Sequence, residues 1–241
     1  MKKLITICAV IILAAATMSQ ATVYTVSPSD LSADLSTGFG WDIDMDAPLG
    51  VTTEGTVGGD SFYSNVSGEA PTKYSAFRFT LQAVGFGAGA SMSDVTSFTY
   101  DTKLNSDTNY DWRVTVYTVV QAGQTSGWYG SRISFDYNGD IHDWATTDVF
   151  AEGAYRVTSS AAGDLYTSSA GFEAALATAL SQSVMYIDII AGANSPHPAV
   201  DAYLDNIQLT GEGVDAQINL VPEPATMALL GLGGLLLRKR K

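Results

Sequence analysis

Alternation of apolar and polar side chains with a period of two is the feature that most constrains how this chain can fold. In the segment from Asp111 to Gln121, one predicted face carries Trp112, Val114, Val116 and Val120, and the other carries Arg113, Thr115, Tyr117 and Gln121. Further strands are predicted at Ala76 to Gln82, Ser97 to Lys103, Arg132 to Tyr137, Val184 to Ile190 and Tyr203 to Leu209. The chain is therefore predicted to be mostly β.

Many short strands separated by turn residues favour a sandwich, because one antiparallel sheet must bury its apolar face against another. Asn138-Gly139 lies between two short strand-like runs and predicts a tight hairpin. A single helix, inserted between strands, is predicted from apolar residues spaced i, i+3, i+4, i+7 and i+8: Phe172, Ala175, Leu176, Ala179 and Leu180. The predicted fold is an antiparallel β-sandwich with one inserted helix.

The C-terminal segment has three successive parts. Pro222, Glu223 and Pro224 come first, and an apolar run from Ala225 to Leu237 follows. Four basic residues close the chain: Arg238, Lys239, Arg240 and Lys241. As a short hydrophobic helix the apolar run would span about 20 Å, less than the ~30 Å hydrocarbon layer, which favours transient membrane contact. The cations favour a cytoplasmic C-terminus.

This order of Pro-Glu-Pro, apolar run and basic stop resembles the PEP-CTERM sorting signal of Gram-negative bacteria. The resemblance implies recognition by a membrane-embedded exosortase and transient anchoring in the inner membrane. It also implies a final location at the cell surface or in the extracellular matrix.

The N-terminal segment has the pattern of a signal peptide. Lys2 and Lys3 precede an apolar helical run from Leu4 to Ala16, and small residues follow at the predicted signal peptidase site after Ala21. Cys8 is the only cysteine and lies inside this segment. The exported body therefore has no disulfide and no cysteine-based zinc site.

These signals divide the chain into a signal peptide (1–21), a β-sandwich domain (22–211), a linker (212–221) and a sorting tail (222–241). Six of the twelve Lys and Arg residues lie in the two end segments, whereas all but one of the twenty-five acidic residues lie between them. Such an acidic body repels nucleic acid, so no nucleic-acid partner is predicted.

The stretch from Ala202 to Gly211 resembles the final strand of carbohydrate-binding, galactose-binding-like jelly rolls. That resemblance implies a jelly-roll sandwich, and it implies that Asp205 ligates a structural calcium ion. By alternation Asp205 shares the buried face with Tyr203, Ile207 and Leu209. Two alternatives remain open: Leu204 points inward and Asp205 is solvated, or Asp205 pairs with an arginine. No other cofactor is predicted.

Trp128 and Tyr129 lie together in a Gly- and Ser-rich loop. Exposed aromatic rings are costly, and they offer a flat surface to the C–H face of a sugar. These two residues are therefore candidate carbohydrate-binding residues. The alternative is a loop that folds back over the sandwich and caps its core.

No nucleophile elbow, phosphate-binding loop or paired metal-ligating histidines occur in the sequence. We therefore predict a non-catalytic surface or matrix protein. Two alternatives are kept: a carbohydrate-binding module whose partner is an extracellular polysaccharide, and a glycan hydrolase, since two carboxylates suffice for that reaction.

Overall fold

Two β-sheets pack face to face in the computed structural model, which describes residues 21–221 apart from 33, 42–49, 53–54, 56–60, 69–72, 106–111, 125–126, 137–142, 160–162 and 194–196. This arrangement confirms the predicted mostly β, two-sheet sandwich. The signal residues before Ala21 and the tail after Val221 lie outside the described residues. Among the described helices, none combines the length and the apolar character that a membrane span requires.

Each sheet contains seven strands. Sheet I contains β1 (Thr22–Val26), β3 (Gly50–Thr52), β4 (Ser61–Gly68), β6 (Val95–Leu104), β9 (Ala145–Asp148), β13 (His197–Gly211) and β14 (Val214–Leu220). Sheet II contains β2 (Phe39–Trp41), β5 (Lys73–Phe79), β7 (Arg113–Thr118), β8 (Ser131–Phe135), β10 (Ala154–Ser159), β11 (Gly163–Tyr166) and β12 (Val184–Ala193).

Sheet II runs in the order β11-β10-β8-β7-β12-β5-β2, and every neighbouring pair is antiparallel. Sheet I is organised around the long strand β13. One edge of β13 pairs with β6, and its other edge pairs first with β4 and then with β14. The strand β1 adds to β14 in parallel, with Thr22 opposite Ala216 and Val26 opposite Leu220.

The core lies between the sheets and is built from the inward residues of alternating strands. Phe77 on β5 packs edge-on against Phe62 on β4, with ring centroids 5.2 Å apart. Trp112, just before β7, is fully buried, and its carbonyl oxygen accepts a 2.6 Å hydrogen bond from the Tyr100 hydroxyl on β6. Contacts of this kind join the two sheets and leave each with one outward face.

The predicted helix is present as α2 (Phe172–Leu180), between β11 and β12. Phe172 and Ala179 are buried, and the helix packs against β8 and β10. A one-turn helix, α1 (Val149–Glu152), was not predicted. It begins at Asp148, whose carboxylate accepts hydrogen bonds from the backbone N–H groups of Phe150 and Ala151.

Two boundary predictions and the predicted pairing across the Asn138-Gly139 turn are wrong. Residues 212–221 are not a linker, because they form a tight turn and β14, with Ala216, Ile218 and Leu220 in the core. The domain therefore does not close at β13. Val120 is exposed beyond the end of β7. The residues Asn138 and Gly139 themselves lie outside the described part, but the flanking strands β8 and β9 belong to different sheets and are not hairpin partners.

Candidate functional site

The outward face of sheet II, called the outer face below, carries an ordered set of polar and aromatic side chains. Its position follows from the alternation, because Val116, Ile133 and Ile187 point into the core and their neighbours in sequence point away from it. The strand register places one row of side chains side by side on five adjacent strands: Asp164, Thr158, Arg132, Tyr117 and Tyr186.

Four aromatic rings form a cluster on this face, called the aromatic platform: Tyr117, Trp128, Tyr129 and Tyr186. The Trp128 ring lies nearly parallel to Tyr117, with centroids 5.0 Å apart and an interplanar angle of 24°. It also lies nearly parallel to Tyr186, at 6.2 Å and 15°. Tyr129 stands almost perpendicular to Trp128 at 4.9 Å. The two tyrosines beneath are buried, whereas Trp128 is 58% exposed.

The loop that carries Trp128 is tied back to the strands on either side of it. Gly130 donates its backbone N–H to the Thr118 carbonyl oxygen at 2.8 Å, and the Gln124 side chain donates to the Gly130 carbonyl oxygen at 3.0 Å. A Cβ atom at Gly130 would overlap the Val119 carbonyl oxygen, so only glycine permits this close approach. The loop therefore holds the indole ring in a defined orientation.

A buried ion pair supports Tyr186 from the neighbouring strand. The Arg78 guanidinium donates from Nε to Asp188 Oδ1 at 2.6 Å and from Nη2 to Asp188 Oδ2 at 2.8 Å. The Arg78 Cζ atom also lies 3.9 Å from the centroid of the Tyr186 ring, within the range of a cation–π contact. Asp188 is completely buried, so the two-pronged geometry offsets the cost of its desolvation.

Polar groups continue the row beside the platform. Arg132 is the direct cross-strand neighbour of Tyr117, and its Nη2 donates to Thr158 Oγ1 at 3.2 Å. The Thr158 hydroxyl donates to Asp164, and Arg132 Nη2 lies 3.8 Å from Asp164 Oδ1. An exposed ring is thus flanked by hydroxyl, carboxylate and guanidinium groups, which is an arrangement suited to a ligand with both apolar and hydrogen-bonding surfaces.

The structure places the predicted pair Trp128 and Tyr129 in this cluster. The loop folds back over the outward face of sheet II rather than over the core, and Trp128 stays exposed. Carbohydrate binding by Trp128 and Tyr129 stays a prediction. No sequence pattern identified Tyr117, Tyr186 or the Arg78–Asp188 pair as part of a site. Tyr117 is predicted on the polar face of its strand. An aromatic ring at that outward position is the sequence signal that could have indicated a surface site.

Asp205 lies on β13 of sheet I, whereas Trp128 lies on the outer face of sheet II. It is fully buried and stands opposite Asp101 in the β13–β6 register. The pairing shifts between Asp205 and Gln208, at a bulge where Asn206 has a left-handed φ of 47°. The bulge reverses the alternation, so Asp205 shares the outward face with Tyr203 while Ile207 and Leu209 point into the core. The predicted shared face with Ile207 and Leu209 is therefore wrong.

The Asn206 side chain, next to Asp205, forms hydrogen bonds with residues of β6, β13 and β14. Its Nδ2 donates to Asp101 Oδ2 at 2.9 Å, and its Oδ1 accepts from Gln208 and Gln217 at 2.8 Å each. Asp101 Oδ1 also accepts from the Thr146 hydroxyl at 2.6 Å. Within the described residues no three acidic, histidine or cysteine side chains group as a metal site would require. Calcium at Asp205 stays a prediction.

The described fold is thus a two-sheet sandwich with an exposed aromatic platform on one outward face. Residues 220–241 match the family model of the PEP-CTERM protein-sorting motif. The chain therefore carries the sorting motif of an exported, surface-associated protein, as the tail residues Pro222 to Pro224 predicted. No curated protein sequence matches the chain significantly.

Among solved structures, the body is similar to a family 30 carbohydrate-binding module, with a TM-score of 0.42, 14% identity, and coverage of 69% of this chain and 75% of that one. It is also similar to the family 30 module of a cellulosomal cellulase of Clostridium thermocellum, with a TM-score of 0.39, 14% identity, and coverage of 69% and 84%. A similarity this distant assigns no ligand and no binding residue to the chain.

Proposed function

We propose that this chain is a cell-surface or extracellular-matrix protein of a Gram-negative bacterium whose non-catalytic body binds polysaccharide on the aromatic platform. The PEP-CTERM motif supports export and exosortase processing. The observation that carries the binding proposal is Trp128, a residue that is 58% exposed although its ring stacks on two buried tyrosines.

The platform supplies what a sugar ring requires of a protein surface. The flat indole face accepts the apolar C–H face of the sugar, and the side chains of Arg132, Thr158 and Asp164 are placed to bond its hydroxyl groups. Because Tyr117, Tyr186 and the loop hydrogen bonds already fix the ring, binding need not pay the entropy of ordering it.

The placement of carboxylates on the outer face favours binding over hydrolysis. Asp164 lies on β11 and Asp188 on β12, with three strands between them. Four inter-strand gaps amount to roughly 19 Å, whereas the paired carboxylates of glycosidases are about 5 to 9.5 Å apart. Asp188 is also engaged by Arg78. This pair therefore does not meet the geometry of glycan hydrolysis.

Affinity electrophoresis of the purified protein through gels containing single polysaccharides tests the proposal. Trp128→Ala should weaken retention at least about tenfold, because a central tryptophan commonly contributes about 2 kcal/mol or more to binding. Trp128→Phe should keep part of the retention, since it keeps an aromatic face.

Val23→Ala is the matched control, because Val23 is a comparably exposed apolar side chain on the edge strand of sheet I. It should leave retention unchanged. Equal retention of the wild-type protein and Trp128→Ala would remove the platform from the proposal and leave the chain as a surface protein without this binding site.

A further inference from the structure

All four arginines between residues 22 and 221 lie on a single surface. Arg78, Arg113, Arg132 and Arg156 occupy strands β5, β7, β8 and β10 of sheet II. Side chains two residues apart on a strand share a face, and side chains directly opposite each other on paired strands do so too. By these two relationships the strand register puts all four arginines on the outer face. In a strongly acidic body this placement concentrates guanidinium groups around the aromatic platform.

Arg132 and Arg156 have unused donors, whereas Arg78, which contacts the platform, is engaged by Asp188. Of the five N–H groups of Arg132, only those on Nη2 have a partner in the described part of the chain. Arg132 Nε and Arg156 Nε are each shielded from solvent, and neither has a hydrogen-bond acceptor. Arg156 has no ion pair with any described residue and approaches only the Tyr155 ring, at 5.8 Å. The Nε atoms are closed to an outside ligand too, so the donors open to an acceptor are those on the Nη atoms of these two half-buried side chains.

The two guanidiniums lie along one path from the exposed ring. Arg132 is directly opposite Tyr117, on which Trp128 stacks, so its Cβ lies about 5 Å from that of Tyr117. Arg156 is the diagonal neighbour of Arg132 on the next strand, at about 7 to 8 Å. A polymer crossing the strands from Trp128 would therefore meet Arg132 first and Arg156 next.

The carboxylates on the outer face do not cancel the net positive charge along this path. Asp188 is paired with Arg78, and Asp136 lies beyond the end of β8, four residues from Arg132. Asp164 lies beside the path, accepts from Thr158 and lies 3.8 Å from Arg132 Nη2, so two guanidinium groups face this one carboxylate. Repulsion from the rest of the acidic body is screened beyond about 8 to 10 Å at physiological salt, whereas the contacts with Arg132 and Arg156 are local.

We infer that the polysaccharide is acidic. Arg132 and Arg156 bind the carboxylates of its uronic-acid residues, while the Trp128 indole stacks on one of its sugar rings. The inference rests on the proposed polysaccharide binding. Arginine suits this ligand because its planar fork matches a carboxylate with two parallel hydrogen bonds.

The test compares each acidic polymer with its own carboxyl ester, so that only the charge differs. Affinity electrophoresis would use alginate, polygalacturonate and hyaluronan, their esterified forms, and the neutral polymer hydroxyethylcellulose. EDTA in every gel excludes calcium bridging. At least one acidic polymer should be bound about tenfold or more tightly than its ester, the scale of one charge-assisted contact.

Arg156→Gln should lower this preference and leave the weaker ester binding intact. Arg132→Gln and the double variant should abolish the preference and also weaken ester binding, because Arg132 is placed to bond sugar hydroxyl groups as well. Lys103→Gln removes the same charge from the outward face of sheet I and should change nothing. Equal binding of acid and ester by the wild-type protein, or a preference retained by the double variant, overturns the inference while polysaccharide binding stands. Failure to bind any polymer overturns both.

Discussion

Arg78 and Asp188 face each other across strands β5 and β12 and form a two-pronged ion pair beneath the Tyr186 ring. The pair connects the register of sheet II to the platform, because Tyr186 in turn lies under Trp128. A shift of one residue in either strand would turn that strand's charge toward the core and break the pair. The same contact therefore fixes the strand pairing and supports the exposed ring.

Asp188→Asn should destabilise the protein by about 3 to 5 kcal/mol, because it removes the anion that accepts both hydrogen bonds and leaves the Arg78 charge buried. Urea denaturation followed by circular dichroism measures this change. Asp164→Asn is the matched control on the same face, since Asp164 is exposed, and its effect should stay below about 1 kcal/mol.

The combined variant Arg78→Met, Asp188→Leu should recover most of the lost stability, because no buried charge remains. A loss for Asp188→Asn no larger than that for Asp164→Asn would show that the ion pair does not support the sheet.

Gly130→Ala should displace the Trp128 loop, because the added methyl group would overlap the Val119 carbonyl oxygen and lie 2.8 Å from Thr118 Oγ1. Steric strain of this kind costs about 1 to 3 kcal/mol. Near-ultraviolet circular dichroism should report the altered packing of Trp128, and retention in polysaccharide gels should fall.

Gly87→Ala is the comparison for Gly130, since nothing lies within 4 Å of a Cβ atom built at Gly87. It should leave both signals unchanged. If the two alanine variants behave alike, the close approach at Gly130 does not position the ring.

Asn206 allows a separate test of the bulge in β13. Asn206→Gly keeps a residue that tolerates the left-handed φ but loses three side-chain hydrogen bonds, so it should cost about 1 to 3 kcal/mol. Asn206→Val loses the same bonds and adds the strain of a β-branched residue with positive φ, about 1 to 3 kcal/mol more. Chemical denaturation compares the two, and equal losses would contradict a strained bulge.

Calcium binding at Asp205 predicts a higher melting temperature when calcium is added to protein treated with EDTA, because a ligand of the folded state alone stabilises it. Asp205→Asn should remove this response, whereas Asp215→Asn on the exposed side of β14 should keep it. A melting curve that does not change with calcium would end the metal prediction, whatever the stability of the variant.

Local patterns in the sequence were sufficient for much of the fold. The period-two runs lie in the strands of the sandwich, and the helical spacing from Phe172 to Leu180 predicted both ends of α2. These predictions succeed because the pattern of burial within an element depends on the element's own geometry. The linker prediction missed a pattern that is present, since Ala216, Ile218 and Leu220 alternate with polar residues in β14 as in the other strands.

Relationships between distant segments could not be predicted. The bulge at Asn206 inverts the faces of β13, and a strict alternation therefore placed Asp205 incorrectly relative to Ile207. The platform combines Trp128 with Tyr186, which lies on a strand paired to β7 from far along the chain. Only the strand order brings these rings together, and the spacing of residues within one segment does not predict the strand order.

The parallel pairing of β1 with β14 joins the beginning and the end of the body. During synthesis and export the first strand appears with no partner, and its partner is the last strand to emerge. Closing so long a loop makes this pairing a late event in folding. A chain from which β14 has not yet emerged therefore has an incomplete sheet I, because both β1 and one part of β13 lack their partner.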